Sequence, residues 1–175
     1  YIKPFILRRM KKTVLKELPE KIESRMLNEM TPEQAKLYDG WLLQVKKEFE
    51  SEVAVHGFEK SQIKILSLLT RLRQICCHPA LFFEHYHGGS GKLEMLMELL
   101  SEAISGNHRI LLFSQFTGML DLIKKELDRE KITYFYLDGS TSAEERIKRV
   151  HAFNGGEKNV FLISLKAGGT GLNLT

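Results

Sequence analysis

The sequence predicts an α/β fold: a doubly wound parallel sheet in its second half, with a helical region ahead of it. Three observations carry this. Short apolar runs at 109–114, 133–137 and 160–164 alternate with amphipathic helical stretches, the order strand–helix–strand–helix–strand of two βαβ units. Those runs are apolar on both faces, as parallel strands covered from both sides are. Up to the glycine-rich stretch at 85–91, helical spacing dominates and strand signals are few.

The elements follow in order. Thr31-Pro32-Glu33-Gln34 is a helix start, with Thr31 as N-cap, Pro32 in the first turn and Gln34 closing a capping box. A long amphipathic helix should run on through Leu37, Trp41, Leu42, Val45 and Phe49. A second should begin near Ser61, carry Ile65, Leu68, Leu69, Leu72 and Ile75, and end near His78, because Pro79 disfavours helix at the residue before it. Leu93, Leu96, Met97, Leu100 and Ile104 mark a third helix, stopped by Gly106. Arg109–Ser114 reads as a strand, Met119, Leu120, Ile123 and Leu127 as a helix, and Thr133–Leu137 as a second strand. Ser142-Ala143-Glu144-Glu145 opens a helix expected to bury Ile147, Val150 and Phe153 and to end at Gly155-Gly156. Val160–Ser164 is the third strand. Two right-handed crossovers then give a doubly wound layer structure. The domain reading is 1–90 for the lead-in and helical region and 91–175 for the sheet domain.

Composition excludes several classes. Hydrophobic content of 43% and charged content of 27% are those of a globular chain, not a disordered or collagenous one. The apolar run Val160–Leu165, broken by Ser164, is far too short to span a bilayer, and no membrane partner is expected. The opening Tyr1-Ile2-Lys3-Pro4 lacks a secretory pattern. Cys76 and Cys77 are adjacent and are the two cysteines of the sequence, which excludes a disulfide framework and suits a reducing compartment. Net charge is +4, and the stretch from Lys3 to Lys16 holds Lys3, Arg8, Arg9, Lys11, Lys12 and Lys16 with no acid, a block suited to a polyanion or to a solvated helix face.

Two motifs are decoys. Gly88-Gly89-Ser90-Gly91-Lys92-Leu93 has Tyr86 where a phosphate loop needs glycine and Leu93 where it needs Ser or Thr, so it reads as a linker and helix cap. Cys76, Cys77, His78, His85 and His87 lack zinc-site spacing, and neighbouring cysteines on a helix point about 100° apart. A packed helix end is the better reading. No catalytic triad or metal carboxylate cluster is visible.

In an open parallel sheet, ligands bind beyond the carboxyl ends of the strands. Three loops should emerge there: Ser114-Gln115-Phe116-Thr117, Asp138-Gly139-Ser140-Thr141-Ser142 and Lys166-Ala167-Gly168-Gly169-Thr170-Gly171. All are hydroxyl-bearing or glycine-rich. Their N–H groups and hydroxyls, with helix N-termini at Thr117 and Ser142, can line a phosphate-binding rim. Taken singly, each loop reads equally as a tight turn.

These residues carry a resemblance. Arg109-Ile-Leu-Leu-Phe-Ser-Gln-Phe-Thr-Gly-Met-Leu-Asp121 resembles motif IV of the Swi/Snf-type ATP-dependent DNA translocases of helicase superfamily II. Tyr136-Leu-Asp-Gly-Ser-Thr141, continuing to Glu145-Arg146 and Phe153-Asn154, resembles the next block, and Phe161–Leu174 resembles motif V. Pro4-Phe5-Ile6-Leu7-Arg8-Arg9 with Leu18-Pro19-Glu20-Lys21, Leu72-Arg73-Gln74-Ile75-Cys76-Cys77-His78-Pro79 and Ser90-Gly91-Lys92-Leu93 are further family strings. The wording, double cysteine included, resembles bacterial members more than eukaryotic remodellers.

The resemblance implies a RecA-like second lobe with a helical family-specific insertion, part of a motor that tracks along double-stranded DNA while hydrolysing ATP with Mg2+. DNA is gripped by its phosphate backbone without regard to sequence, and the nucleotide lies between this lobe and a first RecA-like lobe of the same polypeptide. It implies DNA contacts for Ser114, Gln115, Gly139, Ser140, Thr141, Arg146, Lys166 and Thr170, and nucleotide proximity for Gly168, Gly169 and Gly171. Ala143 stands where related blocks carry a glutamine. The P-loop, the Asp-Glu magnesium motif and the motif VI arginine fingers do not occur in these 175 residues. The sequence therefore reads as a piece of a longer chain, inactive alone and expected to hold no cofactor by itself. The intact protein is expected in the cytoplasm, on the nucleoid if bacterial, or in the nucleus if eukaryotic. Two other readings stay open: a non-enzymatic nucleic-acid-binding or protein-docking module on the same fold, and a free-standing flavodoxin-like phosphate binder.

Overall fold

The computed structural model describes residues 21–169 and 172–174. The basic stretch at 3–16 and the Pro4–Arg9 string lie outside them. Helix α1, Pro32–His56, starts on the expected capping box: Thr31 Oγ1 accepts from Gln34 N–H at 3.2 Å, and Gln34 Oε1 accepts from Thr31 N–H at 3.4 Å. Helix α2, Phe58–Cys77, follows after Gly57 alone and runs antiparallel to α1. It begins earlier than Ser61. The Ser61 side chain is buried and donates back to Gly57 C=O at 2.7 Å, which places it inside the first turn. Val45, Leu68 and Leu72 form the seam of this helical hairpin, with Trp41 and Leu42 beside them. Leu69 and Phe49 stand exposed on its outer side.

Pro79 ends α2 as expected, with His78 as its extended C-cap and a 3-10 turn at Pro79–Leu81. Helix α3, Gly91–Ser105, is capped by Ser90, whose Oγ accepts from Leu93 N–H and donates to Cys77 C=O at 2.6 Å. A Cβ on Gly91 would sit 2.0 Å from the Glu29 carbonyl oxygen, so this position admits only glycine without moving the backbone. The glycine-rich stretch is thus a linker and cap.

The sheet comprises β1 (Ile110–Ser114), β2 (Tyr134–Leu137) and β3 (Val160–Ser164), all parallel, in the order β1-β3-β2. Helix α4, Thr117–Arg129, crosses from β1 to β2, and helix α5, Ala143–Asn154, returns from β2 to β3. The two crossovers run in opposite directions across the sheet, so a common right hand places their helices on opposite faces. One face packs Met119, Leu120, Ile123 and Leu127 of α4, with Leu93 and Leu100 of α3, against Val160 and Leu162. The other packs Phe153 of α5 against Leu137, Phe161 and Ile163. All five residues of β3 are buried.

Two burial expectations differ. Ile147 is 59% exposed. Arg146, Arg149, Val150 and Phe153 fill the sheet-facing side of α5, and Ile147 lies about 100° round the helix from Arg146. Leu111 and Phe113 of β1 are 40% and 47% exposed, because α5 covers β2 and β3 and does not extend over β1. The outer edge of β2 is closed to further strands: Tyr134 C=O accepts from Lys158 at 2.8 Å and Tyr136 C=O accepts from Arg149. Among the described residues no helix is long and apolar enough to cross a membrane.

Candidate nucleic-acid interface

Parallel pairing fixes where the three loops emerge. Ser114 pairs with Ser164 and Leu137 with Ile163, so the strands end level at one edge. With neighbouring strands about 4.8 Å apart, the β1 and β2 loops stand about 10 Å from each other with the β3 loop between them. The structure thus brings Ser114, Gln115, Gly139, Ser140, Thr141, Lys166, Gly168 and Gly169 to one rim. Thr170 and Gly171 lie outside the described residues.

The β1 loop is a hydroxyl-stabilised turn. Ser114 Oγ accepts from Phe116 N–H at 3.1 Å and donates to Phe116 C=O at 3.0 Å. Helix α4 then starts with no side-chain cap bond, which leaves its first N–H groups to solvent or an anion. Gln115 is exposed, and its Oε1 accepts from Arg73 of α2 at 2.5 Å.

The β2 loop is organised by Asp138, which the sequence places in the loop without marking it as a functional residue. Its Oδ1 accepts from Ser140 N–H at 2.9 Å, Ser140 Oγ–H at 2.7 Å and Thr141 Oγ1–H at 3.3 Å, and its Oδ2 accepts from Tyr136 O–H at 3.0 Å. Hydrogen bonds from Ser140, Tyr136 and Thr141 hold the Asp138 carboxyl down to about 2. Tyr136, desolvated and donating to that carboxylate, is pushed up to about 12. The Ser140 and Thr141 hydroxyls are therefore engaged within the loop, and the surface they leave is exposed backbone at Gly139 and Ser140. The signal for Asp138 was local: an Asp followed two residues later by Ser is an Asx-turn sequence.

The β3 loop is the short helix α6, Leu165–Gly168, capped by Ser164 Oγ on Ala167 N–H at 3.4 Å. Lys166 projects from it, exposed. Arg146 of α5 donates to Ala167 C=O at 3.3 Å, so this half-buried guanidinium straps α5 to the β3 loop. The two described glycines differ. A Cβ on Gly168 would meet the Phe113 ring at 2.8 Å, whereas one on Gly169 finds its nearest neighbours at 3.8 Å. Close packing on β1 accounts for the first, and nothing in the fold demands the second.

A recess of about 790 Å3 lies away from this rim, along the outer edge of β2 between Lys124, Tyr136, Arg149 and Lys158. Three of its cations are engaged internally: Lys124 pairs with Asp121 at 2.6 Å, Arg149 with Glu145 at 2.9 Å, and Lys158 holds a strand carbonyl, while Lys148 also lines it. Among the described residues no group of three or more His, Cys, Asp or Glu is placed to hold a metal ion.

Comparison with known proteins gives a consistent picture. Residues 91–175 match the helicase conserved C-terminal domain family, and residues 1–81 match the SNF2-related domain family. The chain is 39% identical, over 99% of its length, to the chromodomain-helicase-DNA-binding protein 1-like of Mus musculus and to the putative ATP-dependent helicase/translocase YwqA of Bacillus subtilis. It spans about a fifth of the length of each, 20% and 19%. The C-terminal domain of the Sulfolobus solfataricus SWI2/SNF2 ATPase is 32% identical, with a TM-score of 0.76 over 89% of this chain and 68% of that one. The core of the same ATPase in complex with dsDNA superposes with a TM-score of 0.74 over 93% of this chain and 35% of that one.

Proposed function

Because this chain belongs to the SWI2/SNF2 family of ATP-dependent helicase-like ATPases and carries its RecA-like C-terminal helicase domain, we propose that it is the second motor lobe of a double-stranded-DNA translocase. Its part is to grip phosphates and to form one wall of the ATP cleft. The observation that carries this is the level, parallel emergence of the three loops at one sheet edge. The solved relative whose core was captured with dsDNA supports duplex DNA as the ligand.

A translocase must hold any sequence, so it needs donors aimed at phosphate rather than at bases. This rim offers them: the open start of α4, the Gln115 amide, the exposed backbone at Gly139, and the Lys166 ammonium. Binding by such groups is sequence-blind and weakens steeply with salt. ATP and Mg2+ would be held chiefly by the first lobe of the intact protein, and no step described for this chain runs through the metal. Closure of the two lobes around ATP would carry this grip one step along the rail. We place the boundary between helical region and sheet domain at residues 90 and 91, and the intact protein with its DNA on the nucleoid or in the nucleus.

Fluorescence anisotropy with two scrambled duplexes of equal length, at several salt concentrations, tests the reading. The expected result is equal affinity for both, falling linearly on a log–log salt plot, with no ATP turnover by this chain alone. Strong discrimination between the duplexes, or salt-independent binding, would contradict it.

A further inference from the structure

The rim has a contributor from outside the sheet domain. Arg73 lies near the end of α2, in the helical hairpin, and is exposed. Its guanidinium donates to Gln115 Oε1 at 2.5 Å and lies over the Phe116 ring, 5.7 Å from the centroid. Phe116 is the N-cap residue of α4, and Gln115 precedes it. Behind this contact, Leu81 lies 3.1 Å from where a Gly118 Cβ would stand, so the end of the hairpin bears on the first turn of α4. None of the ion pairs among the described residues involves Arg73.

The chemistry of this pair is directional. An amide that accepts through Oε1 must present its NH2 on the other side. A guanidinium has five N–H donors in a rigid fork, and the Gln115 bond uses one of them. Arg73 and Gln115 together therefore display donors, one full positive charge and no acid, beside the open N-terminus of α4.

We propose that Arg73 and Gln115 form a composite phosphate clamp on duplex DNA, with the charge supplied by the helical hairpin and the amide by the β1 loop. This deepens the proposed function and rests on it. Arg73 contacts a phosphodiester oxygen directly and, through Oε1, fixes the Gln115 amide for a neighbouring contact. The hairpin is thereby a working part of the grip, and its position sets the geometry of the β1 loop.

The test is a double-mutant cycle on this chain with a duplex of random sequence, read as affinity and as salt slope. Arg73→Ala should weaken binding about five- to tenfold and lower the salt slope by about one phosphate. Gln115→Ala should weaken binding with the slope unchanged, and the double variant should lose less than the product of the two. Arg73→Lys should restore the slope while leaving part of the affinity loss, because an ammonium lacks the fork. Circular dichroism melting of each variant checks the fold, which an exposed pair should leave intact. If wild type binds duplex DNA and Arg73→Ala matches it in affinity and slope, or if the two losses multiply fully, the clamp is wrong and the parent reading stands. If wild type binds no duplex DNA at low salt, both fall together.

Discussion

Asp138 puts a full negative charge at the head of β2, beside a rim otherwise suited to anions, and its hydrogen bonds explain why it is there. It spends its acceptor capacity inward, on Ser140, Thr141 and Tyr136, and so fixes the loop whose backbone faces outward. Its carboxyl is held near 2 against an ordinary 3.8. A group with a lowered folded-state value stabilises the fold above its unfolded value, and that contribution is lost as pH falls through the folded one. The Asp138 contribution is therefore complete above about pH 4 and disappears towards pH 2. We expect Asp138→Asn to cost about 1 kcal/mol at pH 7, since solvent reaches the loop and screens the charge. The gap in Tm between wild type and variant should then narrow progressively between about pH 4 and about pH 2. A gap that stays constant over that range would show that the carboxylate charge does not hold the loop.

At the scale of elements, Gln34 joins three helices. Its side chain is 1% exposed. Its NH2 donates to Ile75 C=O at 2.8 Å and Cys76 C=O at 3.3 Å, and its Oε1 accepts from Gly91 N–H at 3.3 Å. It thus closes the start of α1, the end of α2 and the start of α3 in one amide. Gln34→Ala leaves buried carbonyls at the end of α2 unpaired and should cost about 2 kcal/mol or more in urea unfolding. Gln44→Ala, on the exposed face of the same helix, should stay within about 0.5 kcal/mol. Equal effects of the two would remove the knot. Sequence periodicity located α1, α3, α4, α5 and all three strands because each carries its own local pattern of caps and apolar spacing. It placed Gln34 only as the closure of a capping box, since its partners lie 41 to 57 residues away. The same distance hid the Arg73–Gln115 contact, 42 residues apart. The exposure of Leu111 and Phe113 was equally illegible. An apolar strand reads as two-faced, and only the reach of α5 decides which face is covered.

For the molecule as a whole, helical hairpin and sheet form a continuous body. Gln34 and Arg73 of the hairpin bond to Gly91 and Gln115 on the sheet side, and Ser90, the cap of α3, bonds back to Cys77 of the hairpin. The hairpin is therefore positioned to steady the carboxyl edge of the sheet. If the carboxyl edge of the sheet grips duplex phosphates, as proposed, its three loops must respond to DNA together. Amide NMR of the isotope-labelled chain titrated with a short duplex at low salt tests it most directly. Shift changes should centre on residues 114–118, 138–142 and 166–169, with Arg73 moving alongside them. Changes confined to the outer edge of β2, around Lys124, Lys148 and Lys158, with those three loops silent, would contradict it.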